Sequence, residues 1–204
     1  MQTDFQIAGQ GSQELALQQN RVLRNTYLLL GLSMVPTVLG ALVGIQMQFS
    51  FLAGSPFMAF MLFLGIAWGF MWGIEKNKNS GLGVALLLGF TFFMGLMLSR
   101  LLGAVLGLAN GASLIMVAFA GTGAVFFGMA FLSTVIKRDL SALGKWLFVG
   151  AIMLLVAMIA NFFIQSTPLM LTLMVLSIGI FSAFILYDMK RVRDGDETNY
   201  ITAT

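Results

Sequence analysis

Residues 167–188 read TPLMLTLMVLSIGIFSAFILYD. Thr167-Pro168 is read as a helix start, a capping side chain followed by a proline at the first helical position. From Leu169 to Tyr187 every residue is apolar or small. At 1.5 Å per residue that run makes about 28 Å of helix, close to the hydrocarbon thickness of a bilayer. The stretch therefore reads as a transmembrane helix with Asp188 where its apolar run stops.

The rest of the chain repeats the pattern. Apolar residues make up 59% of 204 positions, about 120, which is enough for about six spans of about 20 residues each. Charged residues are only 9%. A soluble domain of this length could not hide that much apolar surface. The expected fold is an all-α polytopic membrane bundle. Its spans lie near 27–47, 57–74, 81–103, 113–136, 146–165 and 169–187, within a membrane region of 25–189. Pro36 falls inside the first span and predicts a kink. Ser55-Pro56 is a second cap-plus-proline start. Glu75 to Ser80 reads as a loop, Asn110-Gly111 as a turn, and Lys137-Arg138-Asp139 opens a loop that closes near Lys145. Residues 1–24 are polar and read as a tail in water or at the lipid surface, with a short helix over Ser12–Asn25. Residues 190–204 read as a second polar segment.

Residue types exclude several chemistries. There is no Cys and no His. That removes disulfides, thiolate nucleophiles, His general bases and Cys or His metal ligands. A Ser-His-Asp triad is impossible within the chain. An intramembrane aspartyl protease needs two facing aspartates, and Asp188 alone lies near membrane depth. No enzyme, cofactor, metal centre or nucleic-acid partner is expected. The net charge of +3 reflects basic loops.

Those loops predict orientation. Arg21, Arg24, Lys76, Lys78, Lys137, Arg138, Lys145, Lys190, Arg191 and Arg193 fall on one side of a six-span alternation, and Arg100 alone falls on the other. The basic side is cytoplasmic by the positive-inside rule, so both tails are expected there.

Gly65, Gly69 and Gly73, spaced four apart, form a small-residue ridge in the second span that reads as a close helix-packing face, with a pore lined by glycine backbone as the alternative. Gly40 and Gly44, the Ala120-Ala124-Gly128 series and Gly179 with Ala183 repeat the spacing. Ionisable residues near membrane depth are candidates for function. Arg100 reads either as a snorkelling side chain or as a partner for a carboxylate in a cavity. Asp188 reads either as an interfacial acid paired with Lys190 and Arg191, or as a buried carboxylate that opens a pathway on protonation. Burial and Arg191 would pull its proton affinity in opposite directions. Asn161 predicts an interhelical hydrogen bond. Asp194, Asp196 and Glu197 read as a solvated cluster without EF-hand spacing.

Phe181-Ser182-Ala183-Phe184-Ile185-Leu186-Tyr187-Asp188, followed by Glu197-Thr198-Asn199-Tyr200-Ile201 and Ala203-Thr204, resembles the Bax inhibitor-1 family in its bacterial YccA-like branch. Gly89-Phe90-Thr91, Gly121-Thr122-Gly123 and Lys137-Arg138-Asp139-Leu140-Ser141 with Gly144-Lys145 agree. The resemblance runs from the first span to the end. It implies seven spans in a bacterial inner membrane, of which this chain holds six and stops where the seventh would begin. It also implies a pH-responsive calcium leak, gated by paired aspartates of which Asp188 matches the first. No residue here supplies the second. The branch is further linked to regulation of a membrane AAA protease of the FtsH type through the N-terminal tail. Where the branch has Gly-Pro near the end of the third span, this chain has Ser99-Arg100. Two expectations follow: a calcium leak gated at Asp188, or a non-transporting regulator of such a protease.

Overall fold

The computed structural model describes residues 2–47 and 56–204, with side chains described from residue 20 in the first stretch and from 57 in the second. Among these residues the chain forms six helices: α1 (Gln2–Gln46), α2 (Pro56–Lys76), α3 (Gly81–Leu106), α4 (Gly111–Val135), α5 (Ser141–Ile164) and α6 (Thr167–Asp194). Each contains a stretch long and apolar enough to cross a membrane, that of α1 beginning at Asn20. Large apolar side chains stay exposed along these helices, up to 78% for Phe163. Water would not tolerate such a surface, whereas lipid covers it without cost.

The boundaries correct several expectations. The residues read as a polar tail continue the first span as one helix from Gln2, with no break before Tyr27. Pro36 lies inside that helix, where the Ser33 and Thr37 hydroxyls donate to the Leu30 and Ser33 carbonyls. The Ser55 cap lies outside the described residues. α5 starts at Ser141, ahead of Lys145, with Leu140 at the N-cap position and Asp139 Oδ1 just before it accepting from the Ser141 backbone N–H at 2.8 Å. The cap of α6 is Ser166, whose hydroxyl accepts from Leu169 N, so Thr167 is already helical. α6 also outlasts its apolar run and continues to Asp194. Lys190 and Asp194 pair at 2.5 Å across one turn, Arg191 and Arg193 sit in the last turn, and Gly195 ends the helix with φ 88°.

Two compact units result, residues 1–117 with 197–204, and residues 118–196. In the first, α3 packs against both α1 and α2. The α1–α3 crossing is built on small residues. A Cβ on Gly95 would come within 2.9 Å of Ala41 N and nearer still to Thr37 O. Gly40 faces Phe92 and Leu96, and Gly44 faces Ser99. These backbones approach closely because no side chain separates them. Phe70 meets Phe90 and Phe93 between α2 and α3, with ring centroids 5.7 and 6.1 Å apart. The α2 ridge is different: Gly65 and Gly69 have no atom within 4 Å of a built Cβ, and Gly73 meets only Leu86 Cδ1 at 3.4 Å.

The residues after α6 belong to this first unit. Ile201 is 1% exposed and packs with Leu29, Ile74 and Leu87. Asn199 Nδ2 donates to Lys78 O at 2.9 Å and Asn79 Oδ1 at 2.8 Å, and its Oδ1 accepts from Ile201 N. Glu197, expected to be solvated, accepts from Asn199 N and the Thr202 hydroxyl and shapes this turn. In the second unit α5 packs on α6, and Leu147 and Leu154 of α5 and Leu173 of α6 are buried. Gly150 lets Ile180 approach, at 3.2 Å from a built Cβ.

Candidate functional site

The charged end of α6 gathers more chemistry than any other part of the second unit. Asp188 is exposed on α6, one and a half turns before the helix ends. Among the described residues it takes no salt bridge, and Arg191 instead lies over the Tyr187 ring, 5.7 Å from its centroid. Lys190 is 6% exposed and turned to Asp194. Burying an ammonium is costly unless it is paired, so this contact fixes the rotation of the last turns of α6. Arg193 donates from Nη1 to the Ser133 carbonyl and lies 3.4 Å from Asp194 Oδ1. Ser133 is in the last turn of α4, where backbone carbonyls lack helical partners and a guanidinium is favoured.

A small cleft opens beside these groups, lined by Asp139, Leu140, Ser141, Tyr187, Lys190, Arg191, Asp194 and Asp196. Tyr187 is seated against Gly144: a Cβ there would lie 2.5 Å from Tyr187 Cζ and 2.6 Å from its hydroxyl. Asp139 also accepts from the Ser141 hydroxyl at 2.5 Å. Those hydrogen bonds from Ser141 pull the Asp139 pKa below its ordinary 3.8. Carboxylates and cations therefore share one cleft, whose local field depends on the charge of each of them. Among the described residues no group of three or more acidic side chains is arranged to hold a metal ion.

Asp188 and Arg191 thus lie together on one helix, though not as an ion pair. Arg100 is exposed in α3 of the other unit, six residues before that helix ends. Asn161 sits near the end of α5, where its side-chain oxygen accepts from Ser166 N across the turn at 3.1 Å. It caps a connection in place of the interhelical bond expected. Four participants escaped the sequence reading: Ser133, Gly144, the Lys190–Asp194 pair and the Asp139–Ser141 hydrogen bonds. The i, i+4 spacing of Lys190 and Asp194 and the Asp-x-Ser pattern before α5 were the available signals.

Residues 19–204 match the family described as Inhibitor of apoptosis-promoting Bax1. The chain belongs to this family. Individual relatives agree along nearly the whole length. A Neisseria meningitidis protein of serogroup A is 38% identical over 92% of this chain and 83% of its own length. An uncharacterized membrane protein of Vibrio cholerae is 34% identical over 95% of this chain and 84% of its own. The Escherichia coli K12 protein named Modulator of FtsH protease YccA is 32% identical over 92% of this chain and 83% of its own. As a Bax inhibitor-1 family membrane protein, the chain carries its charged cleft at the end of α6, within the matched region.

Proposed function

We propose that this protein is a modulator of a membrane-bound AAA protease of the FtsH type in a bacterial inner membrane. One observation carries the reading: similarity to the relative named as a modulator of FtsH protease extends over 92% of the chain. The shape of α1 is consistent with it. About 27 Å of helix, at 1.5 Å per residue, precedes the apolar stretch beginning at Asn20. This polar arm is the part of the chain best suited to a partner in water. Its side is the cytoplasm, because ten of eleven bases share that side of the alternation. The test is affinity capture of the protease from native membranes with the full chain and with a form lacking residues 2–19, which leaves the apolar stretch intact. The full chain retains the protease and the shortened form does not. Equal recovery removes the arm from the account.

A second reading is favoured by the unpaired, exposed Asp188. In it the protein is a pH-responsive calcium leak, with Asp188 as the proton-sensing gate at the cytoplasmic end. Arg191 is the neighbouring base on α6, and with Lys190, Asp194 and Asp139 it lines the cleft. Calcium is the transported ion, not a resident one. Efflux from calcium-loaded vesicles is measured across pH for the wild type and Asp188→Asn. The variant loses the pH response. An unchanged response eliminates the gate.

A further inference from the structure

The bases of the second unit divide into two groups. Lys190 and Arg193 are engaged with Asp194 and the Ser133 carbonyl, and Arg191 lies over Tyr187. Lys137, Arg138 and Lys145 are all exposed, and among the described residues none of them enters an ion pair. They fall within nine positions, between the end of α4 and the first turns of α5. The single acid among them, Asp139, accepts from the Ser141 amide and hydroxyl, and among the described residues it enters no salt bridge. Three positive charges and one negative leave this stretch at +2.

The next residue supplies depth. Trp146 is 74% exposed, and the exposed apolar surface of α5 begins with it and continues through Phe148 and Val149. An exposed Trp at the end of a spanning helix marks the membrane–water interface. Lys145 precedes it, and Lys137 and Arg138 lie outward of it in the loop. The free cations therefore sit at headgroup level, where phosphate groups are, and not far out in solvent. Lys and Arg at this depth attract anionic lipid, and a guanidinium can hold a phosphate bidentately.

We propose that the α4–α5 loop is a binding surface for the headgroups of anionic phospholipids, with Lys137, Arg138 and Lys145 as the phosphate ligands and Trp146 as the interfacial anchor. Inorganic phosphate shares the charge but cannot use the Trp146 anchor or the apolar face behind it.

The full chain is placed in mixed micelles and its bound lipid is counted by native mass spectrometry. Phosphatidylglycerol is compared with phosphatidylcholine, and with inorganic phosphate as competitor. The wild type retains phosphatidylglycerol preferentially, and excess inorganic phosphate does not displace it. The triple variant Lys137→Gln/Arg138→Gln/Lys145→Gln weakens the preference, by roughly fivefold for each cation removed. Lys78→Gln, which removes a base already paired with Glu75, leaves it unchanged. Raising salt to about 1 M shortens the screening length to about 3 Å and weakens the wild-type preference without any substitution. The proposal is overturned if the triple variant keeps the wild-type preference, if the wild type has none, or if inorganic phosphate displaces the lipid.

Discussion

Replacing Gly95 with Ala tests whether α1 and α3 are held by close backbone contact. The new Cβ would stand 2.9 Å from Ala41 N and from Thr37 C, and nearer still to Thr37 O. Ordinary contact begins at 3.4 Å, so the helices must part by more than 0.5 Å. All three obstructing atoms are backbone, and no rotamer change relieves them. A gap of that size forfeits a quarter or more of each dispersion contact along the crossing, and overpacking of this kind costs about 1–3 kcal/mol. Ala gains up to about 1 kcal/mol over Gly in helix propensity, which offsets part of the loss. The expected net destabilisation is about 1–2 kcal/mol. Gly69→Ala is the matched control, because its Cβ meets nothing within 4 Å and only the propensity gain remains. Unfolding of both variants by SDS in mixed micelles, followed by circular dichroism, reads the difference. Gly40→Ala with Gly95→Ala should cost less than the sum of the two, since both open the same crossing. A Gly95→Ala protein as stable as wild type, beside a destabilised Gly69→Ala protein, would refute the reasoning and move the close contact to α2.

Three further outcomes are expected. Ile201→Ala empties a fully buried site among Leu29, Ile74 and Leu87 and costs about 2–4 kcal/mol, read as faster amide exchange over residues 197–204. Gly144→Ala drives a methyl into the Tyr187 ring, so Tyr187 fluorescence polarisation and the order of the α6 end both fall, whereas Gly121→Ala, in open space, changes neither. Because the folded pKa of Asp139 is depressed, its contribution is present above the ordinary carboxylate range and is lost as pH falls through the depressed value. Asp139→Asn should therefore remove this loss and flatten the acid side of the stability profile, measured by thermal unfolding.

What the sequence could reveal depended on how local the cause was. Six apolar runs separated by charged or turn residues define six helices, because lipid demands long apolar segments and each run satisfies that demand alone. Ends were harder. The α6 end was read too early because hydropathy stops at Tyr187, while the helix is carried on to Asp194 by an i, i+4 ion pair and a glycine cap. Ser166 and Thr167 are both capping residues, and only backbone geometry distinguishes them. The glycine ridges show a deeper limit. Gly40 and Gly44 have the same spacing as Gly65 and Gly69, yet among the described residues the first pair lies against another helix and the second does not. Spacing states that a close approach is possible, and the topology decides where it happens. At the candidate site Asp188 and Arg191 were legible as charges against an apolar background. The Arg193 contact with Ser133 spans sixty positions, and the Asn199 contact with Lys78 spans 121, which no local pattern encodes.

The most direct test of the modulator reading is the rate at which an FtsH-type protease degrades a membrane substrate when co-reconstituted with this protein. The full chain is compared with a form lacking residues 2–19, which leaves the apolar stretch from Asn20 intact. The account predicts that the full chain changes the degradation rate and the shortened chain does not. Equal rates with the full chain, the shortened chain and no added protein would contradict it.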